Sequence, residues 1–218
     1  MFIDDKAIEF FTNNMILVKI HAEQDSLVSD KYHAKAFPSS ILLKKNGDEV
    51  DRLVGYAPTE EYLQTFVDYS NGIGTLDDLL GRAETEEDRS LYLEIADKYK
   101  YRGGSAEAET WFARVIEAGG PLDSLSGEAR LSLADLYRRA KDYDKAMEAY
   151  QKIADEFESY HAMDAVIYQA IVHKQKGDTA TAIATFESYI EQFPESEDVE
   201  YAQGQIEKLK NPPEESDE

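Results

Sequence analysis

The chain has 218 residues, 42% of them hydrophobic, and a formal net charge of −22. It contains no cysteine, which excludes disulfides, zinc–thiolate sites and thiol catalysis within this chain. The negative charge opposes binding to nucleic acid and to anionic lipid, and no apolar run reaches the roughly 18 to 20 residues that a membrane helix needs.

The first 70 residues predict elements in the order helix, strand, helix, strand, strand, helix. The apolar run Met15–Ile20 has the length and β-branched content of a strand, and Asp25 is placed to cap a short helix after it. Two further apolar runs flank Asn46-Gly47, a dipeptide typical of a hairpin turn. A helix is then predicted from Pro58, with its apolar side chains on one face.

The opening sequence, MFIDDKAIEFF, lacks the basic head, apolar centre and cleavage site of a secretory signal. As written, the chain is therefore expected to be cytoplasmic. A signal peptide upstream of Met1 would instead imply the periplasm.

From Thr75 onward the sequence is helical in period and repeats itself. Each copy of the repeat contains two alanines that lie 12 residues apart. The three pairs are Ala96 and Ala108, Ala134 and Ala146, Ala170 and Ala182. An aromatic residue follows the second alanine of each pair by four positions: Phe112, Tyr150, Phe186. Small residues at these intervals let two helices approach closely, so each copy predicts a helical hairpin.

This spacing resembles the tetratricopeptide repeat, with three copies over about residues 88–193 and a last helix near residues 195–210 that covers the third copy. The resemblance implies a groove, lined by the first helix of each copy, that binds a peptide or protein partner. It places these residues in the groove: Leu93, Asp97, Tyr101, Leu131, Asp135, Arg138, Arg139, Ile167, Ile171, Lys174.

The segment AFPSSILLKKNGDEVDRLVGYAPTEEYLQTF resembles the last part of the thioredoxin fold. The resemblance puts Pro38 at that family's cis-proline, Gly47 in its hairpin and Gly55 at the end of its last strand, and it makes Phe37 and Pro38 peptide-binding candidates. The family's first strands and its C-x-x-C motif have no counterpart here. We therefore expect a redox-inactive remnant with a gap in its sheet, and a truncation of a longer protein would explain it.

Arg138 and Arg139, with Lys174, form a basic spot in the acidic half of the chain and are candidates to bind a partner's carboxylates. The alternative is two solvated arginines that the helix dipole favours at the end of a helix. The histidines have no ligand-like spacing, and most acidic pairs stand at helix starts. No catalytic, cofactor or metal site is expected.

The predicted fold class is an α+β partial thioredoxin-like unit followed by an all-α tetratricopeptide solenoid, so the chain is mostly helical. The predicted divisions are residues 1–74, a linker or short helix at 75–87, hairpins and capping helix at 88–210, and an acidic disordered tail at 211–218. The function predicted is protein–protein interaction without enzyme activity. The alternative is a fragment of a thiol–disulfide oxidoreductase, and a homodimer through the open sheet edge is a further expectation.

Overall fold

A computed structural model describes residues 5–120 and 122–212 of the chain, so most of the predicted tail, residues 213–218, lies outside the described residues. Within them the chain is mostly helical, as predicted, and no helix there is long and apolar enough to cross a membrane. The elements are α1 Asp5–Asn14, α2 Ser26–Lys31, β1 Ser39–Leu43, β2 Glu49–Val54, α3 Thr59–Ser70, α4 Leu76–Arg82, α5 Arg89–Tyr101, α6 Ser105–Glu117, α7 Ser124–Arg139, α8 Tyr143–Glu156, α9 Tyr160–Gln175, α10 Thr179–Gln192 and α11 Val199–Lys210.

The chain divides into two compact units, Met1–Trp111 and Phe112–Glu218. The boundary lies inside α6. A separate domain ending at residue 74 stays a prediction.

In the first unit, β1 and β2 form an antiparallel hairpin with Ser39 opposite Val54. Gly47 adopts φ +87° in the connecting turn, as the Asn-Gly dipeptide predicted. The Phe37–Pro38 peptide bond is cis, in agreement with the resemblance. The core of this part lies between α1 and α3 and contains Ala7, Phe11, Tyr62 and Phe66, each at most 5% exposed.

The strand predicted at residues 15–20 was wrong. These residues have no regular secondary structure, and Ile16 and Val18 are 93% and 67% exposed. A strand exists only when its backbone pairs with another strand, and the described residues contain no strand beside this segment. Its apolar composition was read correctly, but composition does not supply the missing partner.

The helices α5 and α6 come next, followed in the second unit by two helical hairpins, formed by α7 and α8 and by α9 and α10. The paired alanines of the repeat pattern are all buried at 0% exposure: Ala96, Ala108, Ala134, Ala146, Ala170, Ala182. The aromatic residues that follow them, Phe112, Tyr150 and Phe186, are likewise 0% exposed. The predicted repeat is therefore confirmed as a pattern of helix packing.

The first helix of each hairpin ends in a left-handed residue at the same repeat position: Gly103 (φ +81°), Lys141 (φ +62°), Gly177 (φ +78°). In every copy the next amide donates to a carbonyl in the last helical turn, which is the Schellman arrangement. Glycine adopts this conformation without strain, but the Cβ atom of a lysine is crowded there.

We therefore expect Lys141→Gly to raise the free energy of unfolding by about 1 kcal/mol, because the substitution relieves that crowding. Urea unfolding followed by circular dichroism measures the change. The matched control is Lys141→Ala, which removes the same charge but keeps the Cβ atom. An equal gain in both variants would assign the effect to charge and contradict the backbone explanation.

Helix α11 begins at Val199, four residues after the predicted start, because residues 195–198 form turns after Pro194. It packs against α10, and its Ala202 is fully buried among residues of α9 and α10. The last helix therefore lies against the helices of the preceding hairpin.

A cluster of charged side chains is buried in the first unit. The Asp51 side chain, on β2, is 0% exposed, and its Oδ1 lies 3.1 Å from Lys98 Nζ and 2.8 Å from an Arg102 terminal nitrogen. Its Oδ2 accepts a hydrogen bond of 2.7 Å from the Leu76 backbone amide. One carboxylate thus connects β2 with the start of α4 and the end of α5.

The neighbouring Arg52 extends this cluster. Its guanidinium donates to the backbone carbonyl oxygens of Tyr101 (2.6 Å) and Tyr32 (2.7 Å), and its Nε donates to Glu49 Oε1 (2.7 Å). Glu49 also lies 3.2 Å from Arg102 Nε. Every charge in the cluster therefore has an opposite charge and further hydrogen bonds, which is what burial of ions requires.

Candidate functional site

The candidate site lies in the second unit, at the end of α7. Asp123 caps the start of this helix by accepting a hydrogen bond from the Ser126 amide at 2.9 Å. Arg138 and Arg139 stand in its last turn, where the helix dipole favours positive charge. Asp135 precedes them by three and four residues, so all three side chains lie on one side of the helix end.

One carboxylate is shared by the two arginines. Asp135 Oδ1 lies 2.9 Å from Arg138 Nε, and Oδ2 lies 2.5 Å from Arg139 Nε. Burial alone would lower the pKa of Arg138, but Asp135 raises it above its ordinary value, so the guanidinium stays charged. The three formal charges leave one positive charge in excess.

Exposure separates the roles of the two arginines. The side chain of Arg138 is 14% exposed and that of Asp135 is 13% exposed, whereas the side chain of Arg139 is 40% exposed. Arg138 therefore positions the carboxylate from inside, and Arg139 presents its charge to solvent. Asp135 contacts only some of the five donor hydrogens of each guanidinium, so donors remain for a further acceptor.

Aromatic rings from the neighbouring helices surround Arg138. Its guanidinium carbon lies 5.8 Å from the ring centroid of Tyr168 on α9, a cation–π distance. Tyr168 in turn stacks on Tyr150 of α8, with centroids 5.4 Å apart and planes at 12°. Side chains from α7, α8 and α9 thus meet around one guanidinium.

The hydroxyl of Tyr150 is buried, and Arg138 is the donor that lies beside it. Burial raises the pKa of Tyr150, and Asp135 raises it further, so this phenol stays protonated at physiological pH. Buried polar groups are rarely left unpaired, and this one lies beside the shared carboxylate.

Lys174, the third predicted cation, is exposed on α9 and donates a hydrogen bond of 2.7 Å to Gln205 Oε1 on α11. This hydrogen bond connects α9 with α11 in the second unit. Lys174 therefore has a neutral partner, and its place in the basic spot with Arg138 and Arg139 stays a prediction.

The apolar residues predicted for the groove contribute mainly to the core of the second unit. Ile167 is 6% exposed, and Leu131 and Ile171 are partly buried against the two core clusters. The accessible part of the predicted set in this unit is therefore polar and centres on Arg139.

The remaining predicted residues lie in the first unit. Asp97 is paired with Lys100 at 2.6 Å, and Leu93 and Tyr101 are half-buried on α5. Phe37 is 63% exposed beside the cis Pro38. The buried cluster around Asp51 was missed by sequence reasoning. Adjacent opposite charges in the middle of a strand, at Asp51 and Arg52, were the signal that could have indicated it.

Comparison with known proteins agrees with this geometry. A tetratricopeptide repeat model matches residues 93–161, and a second tetratricopeptide repeat model matches residues 164–196. A search of curated proteins found no significant match. Both family matches lie outside residues 1–74, so the thioredoxin-like interpretation of that segment and the oxidoreductase alternative stay predictions. The matches show that this chain contains tetratricopeptide repeats.

Proposed function

We propose that the chain is a protein-interaction module that binds a carboxylate of its partner at Arg139. Tetratricopeptide repeats generally bind proteins, which supports the class of function. The observation that supports the site is the pair of arginines sharing Asp135, since it leaves an exposed positive charge in a chain of net charge −22. A carboxylate held by an arginine gains charge-assisted hydrogen bonds in addition to the ionic attraction.

The aromatic surroundings favour a partner with an apolar or aromatic residue next to its acidic group. The partly buried Tyr168 ring on α9 lies 5.8 Å from the guanidinium carbon of Arg138. A partner segment that places a carboxylate on Arg139 can cover this ring as well. Recognition would then combine charge with apolar contact, as interfaces usually do.

The test is fluorescence anisotropy with labelled Asp/Glu-rich peptides that carry aromatic residues, compared with the same peptides in which Asn and Gln replace the acids. We expect the acidic peptides to bind and Arg139→Gln to weaken them by about tenfold, which is about 1.4 kcal/mol. Arg139→Gln keeps the buried Arg138–Asp135 pair, so the fold is retained. Higher salt should weaken the binding as well.

The matched control is Lys152→Gln, which removes a cation from the exposed i,i+4 pair with Glu148 on α8. It changes the net charge by the same amount at a distance from the site. Equal weakening in both variants would assign the effect to the overall charge. Equal affinity for the acidic peptides and their amide counterparts would refute carboxylate recognition.

We also propose that residues 1–74 are a redox-inactive, thioredoxin-like remnant. The order α2, β1, β2, α3 supports this, because it is the order the resemblance implied. The chain has no cysteine, so it should not reduce a disulfide substrate such as insulin in the presence of dithiothreitol faster than the reagent alone. Acceleration by the purified chain would contradict the proposal.

A further inference from the structure

The sheet of the first unit has an open edge. Among the described residues, β1 pairs with β2 alone, so the backbone groups on its other side meet no strand. An open edge of this kind is a template for another strand. Natural proteins usually protect such edges with charges or proline, but the centre of β1 is Ser40, Ile41 and Leu42.

The same unit contains an apolar segment with the composition of a strand and no strand to pair with. We define the donor segment as residues 15–20, with the sequence MILVKI. Its aliphatic side chains lie in solvent: Ile16 93%, Leu17 56%, Val18 67%, Ile20 41% exposed. Consecutive exposed residues of this kind are unusual on a protein that stays monomeric, and they mark interaction surfaces.

We propose that two copies of the chain associate by placing the donor segment of each copy on the open edge of β1 in the other. Each copy supplies both the edge and the strand, so the exchange is reciprocal and closes as a two-fold dimer. The lengths agree, since β1 has five residues and the donor segment has six. Pairing would satisfy the backbone groups of both segments, and no other partner is needed.

Apolar burial favours the same arrangement. Beside the donor segment lies a hollow of about 210 Å³, lined mainly by apolar side chains that include Phe11, Met15 and Leu17. Leu27 and Leu43 of the same unit are also 85% and 39% exposed. A specific interface buries on the order of 1,000 Å² or more, and the exposed aliphatic side chains of both copies would contribute to that area.

Charge gives the proposed dimer a distinctive salt dependence. Each copy carries a net charge of −22, so two copies repel one another over distances comparable to the Debye length. The proposed contact itself is apolar, and salt screens the repulsion without weakening that contact. Association should therefore become stronger as salt increases, opposite to the peptide binding proposed at Arg139.

The absence of cysteine makes a direct test available. Val18→Cys and Ser40→Cys are purified as separate chains, mixed, and oxidised with glutathione disulfide. We expect a disulfide-linked heterodimer, because residue 18 of one copy meets β1 of the other. Alternate residues of a strand point to opposite faces of a sheet, so in the other arrangement residues 17 and 41 face one another instead. The pair Leu17→Cys and Ile41→Cys tests that second pairing. Mixing Val18→Cys with Lys152→Cys, an exposed position on α8, is the control and should give no comparable product.

Sedimentation equilibrium supplies the second measurement. The wild type should be dimeric in the micromolar range, and Val18→Asp should be monomeric with unchanged circular dichroism. The control Leu122→Asp alters a residue of similar exposure, 55%, outside the donor segment and should remain dimeric. A monomeric wild type at all accessible concentrations would overturn the proposal.

Two other results would also reject the exchange. A Val18→Cys/Ser40→Cys double variant that links only within one chain would show that the donor segment folds onto its own sheet. If Val18→Asp remains dimeric and neither pair of cysteine variants forms a mixed disulfide, another surface must join the two copies.

Discussion

Replacing Asp51 with alanine is expected to lower the free energy of unfolding of the first unit by about 3–5 kcal/mol. The carboxylate is fully buried and lies within 3.1 Å of Lys98 Nζ and 2.8 Å of an Arg102 terminal nitrogen. Its removal leaves two cations without their shared counter-charge in a medium that solvates them poorly. The Leu76 amide loses its acceptor as well.

The single tryptophan provides the measurement. Trp111 packs in the first unit, with its ring centroid 5.5 Å from that of Tyr92, so its fluorescence in urea follows unfolding there. The matched control is Glu60→Ala, which removes a carboxylate that is 85% exposed and paired with Lys6; the expected change is about 0–1 kcal/mol. If Asp51→Ala lowers the free energy of unfolding by as little as Glu60→Ala does, the buried cluster does not stabilise the first unit.

Gly127→Ala is expected to destabilise the second unit by about 1–3 kcal/mol through overpacking. Gly127 lies in α7 against His161 of α9, and an added Cβ atom would stand 2.6 Å from Cδ2 and Nε2 of that ring. The ring is held in place, because its Nδ1 is 2.8 Å from Ser159 Oγ and the tilted ring of Tyr160 lies against it, with centroids 3.9 Å apart. Either the ring or the helices must shift.

Urea unfolding followed by circular dichroism measures this loss. Gly204→Ala is the control, since it also places alanine inside a helix, but its added Cβ atom meets nothing within 4 Å. That control should gain about 0.5–1 kcal/mol from the higher helix propensity of alanine. In the double variant Gly127→Ala/His161→Ala the clash is absent, so the two substitutions should not be additive. Strict additivity would contradict the steric explanation.

The repeats could be predicted from sequence because their information is local and recurs. A buried small residue at a fixed position, such as Ala134 or Ala170, appears in each copy with the same neighbours, so three weak signals support one another. The hairpin around Gly47 could be predicted for a similar reason, since the turn dipeptide itself sets the backbone conformation. Both features depend on residues near one another in the chain.

Features that depend on distant residues were missed. The strand expected at residues 15–20 needed a neighbouring strand that its own sequence cannot provide. Asp51 and Lys98 are 47 positions apart, and no periodicity connects them. Within the candidate site, Arg138 and Arg139 were predicted, but the Tyr168 ring beside Arg138 follows from how α7 and α9 pack. The burial of Ile167 has the same origin.

Helix α11 determines how many hairpins can stack in the second unit. Its inner face buries Ala202, whereas Glu200, Gln203 and Glu207 on its remaining surface are exposed. A hairpin of another molecule meets charge there instead of the apolar surface that a repeat presents to its successor. A further hairpin placed against α11 would have to bury these charges, which disfavours end-to-end stacking.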